Sequence, residues 1–162
     1  MTSAFVLQIN ISNGGIPKRP IAEAVVTPLG IHGDRHAHPE VHGGPKKALL
    51  LITSEGIEEL KAAGFPVYNG ALGENITSTG LDRRDLRIGQ RVRVGEVELE
   101  LTKVRAPCFT IQVYGANIGE AVYDQDVKSG DPSSPRWGLS GFYFRVIKPG
   151  IIHPGDRITL LT

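Results

Sequence analysis

The sequence predicts a mainly β protein, a β-dominated α+β fold in which a barrel is the favoured arrangement. Twenty glycines and eleven prolines are spread along the 162 residues, as is typical of many short elements joined by tight turns. Several segments alternate apolar and polar residues with the period of two that a half-buried strand shows. A barrel is favoured because a closed sheet leaves no unpaired edges.

The strands follow from these patterns. Residues 5–11 have apolar side chains at positions 5, 7, 9 and 11, which predicts one buried face. The unbroken apolar run 48–52 predicts a strand buried on both faces. A meander with a turn at Gly95 is predicted to place Val97, Leu99 and Leu101 on one side. The other predicted strands are residues 21–27, 75–79, 91–94, 97–104, 142–147 and 157–161.

One helix is clearly predicted. Ser54 is its expected N-cap and Gly64 its expected end. Residues 109–122 are compatible with either helix or loop. The polar segment 124–138 is expected to form a mobile surface loop.

Length and charge restrict the classes of function. We expect a single domain over residues 1–162, because this length suffices for one hydrophobic core. The net charge is +1, so no overall field favours binding to nucleic acid or to a membrane surface. The N-terminus lacks the pattern of a signal peptide, and one cysteine allows no intrachain disulfide. We therefore expect a soluble, cytoplasmic protein.

A glycine-rich loop at residues 30–45 holds four of the five histidines. Histidines four apart would share one face of a helix, but the glycines and proline in this loop make a helix unfavourable. His36 and His38 are candidates for binding a metal from an extended segment. A solvated or hydrogen-bonded loop is the alternative.

The end of this loop predicts an anion site. Gly43 and Gly44 allow backbone N–H groups to approach an anion, and Lys46 and Lys47 supply positive charge. The spacing is not that of a P-loop. A turn followed by two exposed lysines is the alternative.

Cys108 is the only cysteine. Arg105 and Lys103 precede it closely in the sequence, and nearby cations lower the pKa of a thiol. These neighbours favour a reactive or metal-ligating thiol. The alternative is a buried, inert cysteine, which is common for this residue type.

The segment 70–77 carries Glu74 and Asn75 after two glycines. Asn75 can both donate and accept hydrogen bonds, and Glu74 can orient a donor. A turn held by an Asx-type hydrogen bond is the alternative. The sequence contains no motif of a dinucleotide-binding fold, serine hydrolase, zinc protease or CxxC redox site.

Taken together, these segments resemble the MOSC domain, the module named after the C-terminal part of molybdenum-cofactor sulfurases. The similarity is ordered along nearly all of residues 5–160 and is greatest to stand-alone bacterial MOSC proteins, a group that includes small reductases of N-hydroxylated bases. The motifs that carry it are GGIPKRP (14–20), GDRH (33–36), HGGPKKAL (42–49), GALGENIT (70–77), LRIG (86–89), PC (107–108), SGFY (140–143) and PGDR (154–157).

The resemblance implies a β-barrel-like MOSC fold with one or two short helices and a molybdenum cofactor, Mo-molybdopterin. It implies that Cys108 ligates molybdenum or carries sulfur for the cofactor. His42 would orient the cofactor or relay a proton. The residues implied to line the cofactor pocket are Gly43, Gly44, Lys46, Lys47, Gly73, Asn75 and Arg105.

Three hypotheses follow. The first is a molybdenum-dependent reductase of N-hydroxylated small molecules that takes electrons from a separate electron-transfer protein. The second is a non-enzymatic carrier that delivers the cofactor, or sulfur on Cys108, to an acceptor molybdoenzyme. The third is a metal-binding β module that uses His36 and His38. No pyridoxal phosphate site is expected, because the desulfurase domain of full-length sulfurases has no counterpart in this sequence.

Overall fold

The computed structural model describes residues 3–35 and 44–162. Within them the strands are β1 (Ala4–Ile11), β2 (Arg19–Ile21), β3 (Ala24–Thr27), β4 (Gly30–Ile31), β5 (Leu49–Thr53), β6 (Ile76–Thr79), β7 (Arg91–Val94), β8 (Val97–Val104), β9 (Phe142–Lys148), β10 (Gly150–Ile152) and β11 (Arg157–Leu161). The α-helices are α1 (Ser54–Ala62), α2 (Ile118–Val122) and α3 (Gln125–Lys128), with short 3₁₀ helices at Pro45–Lys47, Arg83–Asp85 and Phe109–Tyr114. No helix in this part of the chain is long and apolar enough to cross a bilayer.

The main sheet closes into a seven-stranded barrel in the order β11-β7-β8-β9-β5-β6-β1, and β1 pairs again with β11. The closing register places Ala4 opposite Ile158 and Phe5 opposite Arg157. Strand β2 extends the sheet beyond β1, and β3, β4 and β10 form a separate three-stranded sheet. The predicted mainly β, barrel-like fold is confirmed.

Strand β5 is buried on both faces, as predicted. Leu49 and Leu51 belong to the core inside the barrel. Ile52 lies on the opposite face, in a second apolar cluster that includes residues of α1 and α2. The hairpin of β7 and β8 is also confirmed, with Val97, Leu99 and Leu101 buried.

The predicted face of β1 is wrong in its first half. A β-bulge interrupts the pairing with β6 between Val6 and Gln8. The extra residue reverses the alternation, so Val6 is buried whereas Leu7 is 46% exposed. Ile9, beyond the bulge, is buried as predicted.

The single strand predicted at 21–27 is two strands. The chain bends at residues 22 and 23, so that β2 pairs with β1 while β3 pairs with β4 and β10. The predicted N-cap of α1 is also displaced by one residue. Thr53 is the cap, since its Oγ1 accepts a hydrogen bond from the backbone N–H of Gly56 at 3.0 Å.

Residues 124–138 lie largely at the surface, as predicted, but they include α3 and are anchored by buried side chains. Trp137 is fully buried in the barrel core, and its Nε1 donates to the carbonyl of Leu86 at 2.8 Å. The polar residues of the segment bond to one another: Asp124 caps α3, and the hydroxyl of Ser134 donates to the same carboxylate. Several of these polar residues, including Asp126, Lys128 and Asp131, are exposed, so this is a surface segment that its own hydrogen bonds and Trp137 hold in place.

Candidate functional site

A cleft lies on the outer face of the barrel, over strands β5 and β9. Leu50 and Tyr143 are paired directly across these strands and form its floor. Because side chains alternate along a strand, they face away from their neighbours in the barrel core, Leu49, Leu51 and Phe142. The cleft encloses about 600 Å³ of empty space, which includes the solvent at its open mouth.

Loops from distant parts of the sequence form the walls of this cleft. One wall is the loop after β1, another is the loop before β6, and a third is the segment after β8. The lining residues are Gly15, Ile16, Lys18, Arg35, Lys47, Leu72, Gly73, Asn75, Arg105, Cys108 and Thr110, besides the two floor residues. The structure thus brings together five of the predicted site residues, from positions 47 to 108.

The Cys108 thiol is half-buried at the start of the 3₁₀ helix Phe109–Tyr114. Its Sγ lies 2.7 Å from Oγ1 of Thr110. Partial burial acts to raise the pKa of the thiol, but hydrogen bonds from the hydroxyl and backbone of Thr110, together with the charge of Arg105, outweigh it. The pKa of Cys108 is therefore lowered, which favours the thiolate that acts as nucleophile and metal ligand.

Arg105 is a buried cation at the edge of the cleft. Its Nη1 donates to the carbonyl of Leu72 at 2.6 Å, and its backbone N–H donates to Gly141 at 2.9 Å. The hydroxyl of Ser140 donates to its carbonyl. These bonds fix the segment that leads to Cys108 against the loop before β6.

Asn75 is buried in the wall, and its amide joins three segments. Its Oδ1 accepts from the backbone N–H of Leu50 at 3.1 Å. Its Nδ2 donates to the carbonyl of Asn10 at 3.2 Å and to Oδ2 of Asp34 at 2.9 Å. Both amide hydrogens are thus used within the protein, so the geometry gives Asn75 a bracing role.

Lys47 reaches the cleft from the 3₁₀ helix Pro45–Lys47, with its Nζ 5.4 Å from the centre of the Tyr143 ring, a cation–π distance. Lys46 is exposed, and its side chain does not line the cleft. Gly44 is exposed with φ +82° at the start of this turn. Gly73 lines the cleft with φ +89°, and a Cβ there would lie 3.1 Å from Cγ2 of Ile16.

The remaining predicted contacts, His36, His38, His42 and Gly43, lie outside the described residues. In the described part of the chain no three His, Cys, Asp or Glu side chains are grouped so as to hold a metal ion. The metal-binding histidine loop therefore stays a prediction.

Several residues of the cleft were missed by the sequence analysis. Asp34 and Lys18 form an ion pair of 2.6 Å behind the wall, with side chains only 3% and 7% exposed. Thr110 contacts the thiol, and burial raises the pKa of Tyr143 on the floor. The motifs GGIPKRP, GDRH and SGFY contain Lys18, Asp34 and Tyr143, respectively. These motifs were the sequence signal that could have identified the three residues.

Glu74 is fully buried beneath the loop before β6. Its Oε2 accepts from the backbone N–H of Gly70 and from the hydroxyl of Thr77, at 3.0 and 2.9 Å. Its Oε1 has no hydrogen-bond partner among the described residues. Burial raises the pKa of this carboxyl against the opposing effect of those hydrogen bonds and of Arg105.

A family model supports the assignment suggested by the motifs. The model of the MOSC domain matches residues 38–159 of the chain. This range contains the floor of the cleft and the segments that carry Asn75 and Cys108.

Two relatives align over most of the chain. The protein YflK of Bacillus subtilis is 33% identical over 152 residues, which are 91% of this chain and 63% of that protein. A protein of Gibberella moniliformis named as a reductase is 31% identical over 137 residues, which are 82% of this chain and 22% of that protein. The chain thus spans about three fifths of the first relative and about a fifth of the second.

A solved structure shares the fold. The crystal structure of YiiM from Geobacillus stearothermophilus superposes with a TM-score of 0.71 at 24% identity, covering 98% of this chain and 75% of that one.

Proposed function

The chain belongs to the MOSC family, and from this premise we propose that it binds a molybdenum cofactor in the cleft around Cys108 and reduces N-hydroxylated small molecules. The observation that carries the proposal is the half-buried Cys108 thiol, with its lowered pKa, in a cleft that Arg35, Lys47 and Arg105 also line. The similarity to a protein named as a reductase supports the same class of reaction.

The chemistry of the cleft fits such a group. A thiolate is a soft ligand, suited to a metal that already carries dithiolene sulfurs. Cations suit the phosphate of Mo-molybdopterin, because charge-assisted hydrogen bonds are the strong ones. The apolar floor and wall at Leu50 and Leu72 suit the flat faces of its ring system.

Each residue has a distinct task in the proposal. Cys108 would ligate the metal, and Arg105 and Lys47 would hold the anionic end of the cofactor. Asn75 would brace the wall, and Gly73 would allow close packing of the two loops beside the ligand. His42, Gly43, Gly44 and Lys46 stay predicted contacts of the cofactor, and His42 a predicted proton relay.

When bound, the cofactor would supply the two-electron redox chemistry. Cleavage of an N–O bond to an amine consumes two electrons and two protons and releases water. Thr110 would donate a hydrogen bond to the Cys108 thiolate and keep it charged. The Tyr143 phenol would be a hydrogen-bond donor at the floor of the cleft, and burial raises its pKa above the ordinary value of 10.0.

We propose that the electrons come from a separate electron-transfer protein. An iron–sulfur cluster requires several cysteine ligands, and Cys108 is the only cysteine of this sequence. A reducing compartment such as the cytoplasm would keep this thiol reduced.

Elemental analysis tests the proposal. Protein expressed with intact cofactor biosynthesis is expected to hold close to one molybdenum per chain, and Cys108→Ser is expected to lose it. Thr159→Val is the control, because Thr159 is exposed on β11 and does not line the cleft, and this variant should retain the metal. Loaded protein supplied with an artificial one-electron reductant should then reduce hydroxylamines or amidoximes. Absence of molybdenum from the wild-type protein would refute cofactor binding, and loaded protein without turnover would refute the reductase.

A carrier of the cofactor, or of sulfur on Cys108, is the second candidate. Phe109 and Val113, in the turns that follow the thiol, are 72% and 74% exposed, and exposed apolar residues favour contact with another protein. A carrier would bind molybdenum without turnover and transfer it, or persulfide sulfur, to a molybdoenzyme apoprotein. Failure to activate such an apoprotein in a direct transfer assay would remove this candidate.

A further inference from the structure

Asp34 connects three segments of the cleft wall. Its Oδ1 accepts from Nζ of Lys18 at 2.6 Å and from the backbone N–H of Ser12 at 2.9 Å. Its Oδ2 accepts from Nδ2 of Asn75 at 2.9 Å. The carboxylate thereby joins the loop after β1 to the loop before β6.

Lys18 lines the cleft, yet its ammonium group is bonded within the wall. An ammonium has three hydrogens to donate. Nζ of Lys18 has three acceptors, at 2.6 Å to Asp34, 3.3 Å to the hydroxyl of Ser12 and 3.3 Å to the carbonyl of Arg35. The donor capacity of this lysine is therefore filled by the protein.

Arg105 differs from Lys18 in this respect. A guanidinium has five N–H donors, and within the described residues Arg105 directs one of them, on Nη1, to the carbonyl of Leu72. Two cations that line the same cleft are thus held in different ways. The ammonium of Lys18 uses all its donors within the protein and pairs with a carboxylate, whereas the guanidinium of Arg105 has N–H donors remaining.

We propose that Asp34 is a positioning residue, which holds the Lys18 ammonium in the wall and neutralises it, so that Lys18 braces the cleft and does not bind the anionic part of the ligand. The inference rests on the proposed function in taking this cleft as the ligand site. Its test uses protein without cofactor, so a failure of molybdenum loading and a failure of this inference are distinguishable.

The proposal predicts opposite effects of the two partners on the electrostatic potential of the cleft. Asp34→Asn leaves the charge of Lys18 uncompensated and makes the cleft more positive. Lys18→Met leaves the charge of Asp34 and makes the cleft more negative. The double variant removes both charges and restores the original balance. At low ionic strength such a change alters the approach of a charged molecule, and salt screens it.

The Cys108 thiol allows this potential to be measured. We would compare its reaction rates with dithionitrobenzoate, a dianionic disulfide, and with dithiodipyridine, a neutral disulfide, at one pH. The rate with dithionitrobenzoate divided by the rate with dithiodipyridine reports the local electrostatic potential, because both reagents react with the same thiolate. Relative to wild type, we expect the ratio to rise about threefold in Asp34→Asn and to fall about threefold in Lys18→Met at low salt. The double variant should return to the wild-type ratio, and high salt should remove the differences.

Glu58→Gln is the control, since it removes an exposed carboxylate that pairs with Lys61 on α1; its ratio should equal that of wild type. If one single variant does not fold, the other single variant and the double variant still make the comparison. A purely structural role would leave the ratio unchanged wherever the protein folds, and this result would overturn the proposal. A double variant that keeps the altered ratio of a single variant would overturn it as well.

Discussion

The sulfur of Cys108 lies 2.7 Å from the hydroxyl oxygen of Thr110. Both residues line the cleft and belong to the turn that opens the 3₁₀ helix after β8. Because a hydrogen bond to the charged form of a group favours that form, this contact offsets the effect of burial on the thiol. The reactivity of the one cysteine thus depends on the hydroxyl two residues further along the chain.

Replacement of this hydroxyl tests its effect. We expect Thr110→Val to raise the pKa of Cys108, because burial then acts against fewer compensating hydrogen bonds. The rate of alkylation by iodoacetamide, measured across pH, should have its midpoint at higher pH than in wild type. Thr159→Val on the exposed face of β11 makes the same chemical change away from the cleft, and its profile should be unaltered. An unshifted profile for Thr110→Val would assign the lowered pKa to Arg105 and the backbone instead.

Much of the fold follows from the sequence, since period-two patterns and turn residues mark most strands. Those patterns fail where a local feature changes the alternation. The bulge at Leu7 reverses the buried face of β1, and the bend at residues 22 and 23 divides one predicted strand between two sheets. Neither feature has a composition that distinguishes it from a regular strand.

The sequence predicted those site residues whose side chains have distinctive chemistry, such as the thiol of Cys108 and the guanidinium of Arg105. The motif order grouped these residues, and the structure places them around one cleft. Asp34 was missed as a partner of Lys18 because the two meet only when β1 and the segment after β4 come together. The floor pair Leu50 and Tyr143 depends on the register of β5 against β9, which no sequence pattern gives.

Because of the bulge in β1, we expect truncation to alanine to destabilise the protein by different amounts at two adjacent positions. Val6→Ala removes buried methyl groups from the barrel core, and we expect a loss of about 2 kcal/mol in the free energy of unfolding. Leu7→Ala truncates a larger side chain, but one that is 46% exposed, so we expect less than about 1 kcal/mol. Urea denaturation of both variants measures the difference. Equal costs, or a larger cost at Leu7, would contradict the observed register.

Substitution of Trp137 tests whether residues 124–138 are packed against the barrel core. The indole is fully buried, donates to the carbonyl of Leu86 and packs edge-on against Phe142. We expect Trp137→Ala to lower the free energy of unfolding by about 3–5 kcal/mol. Ser133→Ala changes an exposed residue of the same segment and should stay within about 0.5 kcal/mol of wild type. A mobile surface loop would instead give small effects for both, and the single tryptophan would emit as in water.

Glu74 predicts a pH dependence of stability with a definite sign. Burial raises the pKa of its carboxyl above the ordinary value of 4.5 in the folded protein, so the protonated form is the favoured one there. Its contribution to stability is therefore fully present below the ordinary pKa and is lost as the pH rises through the raised pKa.

Glu74→Gln cannot ionise and retains an oxygen for the hydrogen bonds from Gly70 and Thr77. We expect the free energy of unfolding of this variant, relative to wild type, to increase as the pH rises above the ordinary pKa of 4.5. Urea denaturation at several pH values measures this difference, with Glu58→Gln on the exposed face of α1 as the control that should show no such trend. A difference that decreases with pH would mean that Glu74 is ionised beside Arg105 and stabilises the fold as a carboxylate.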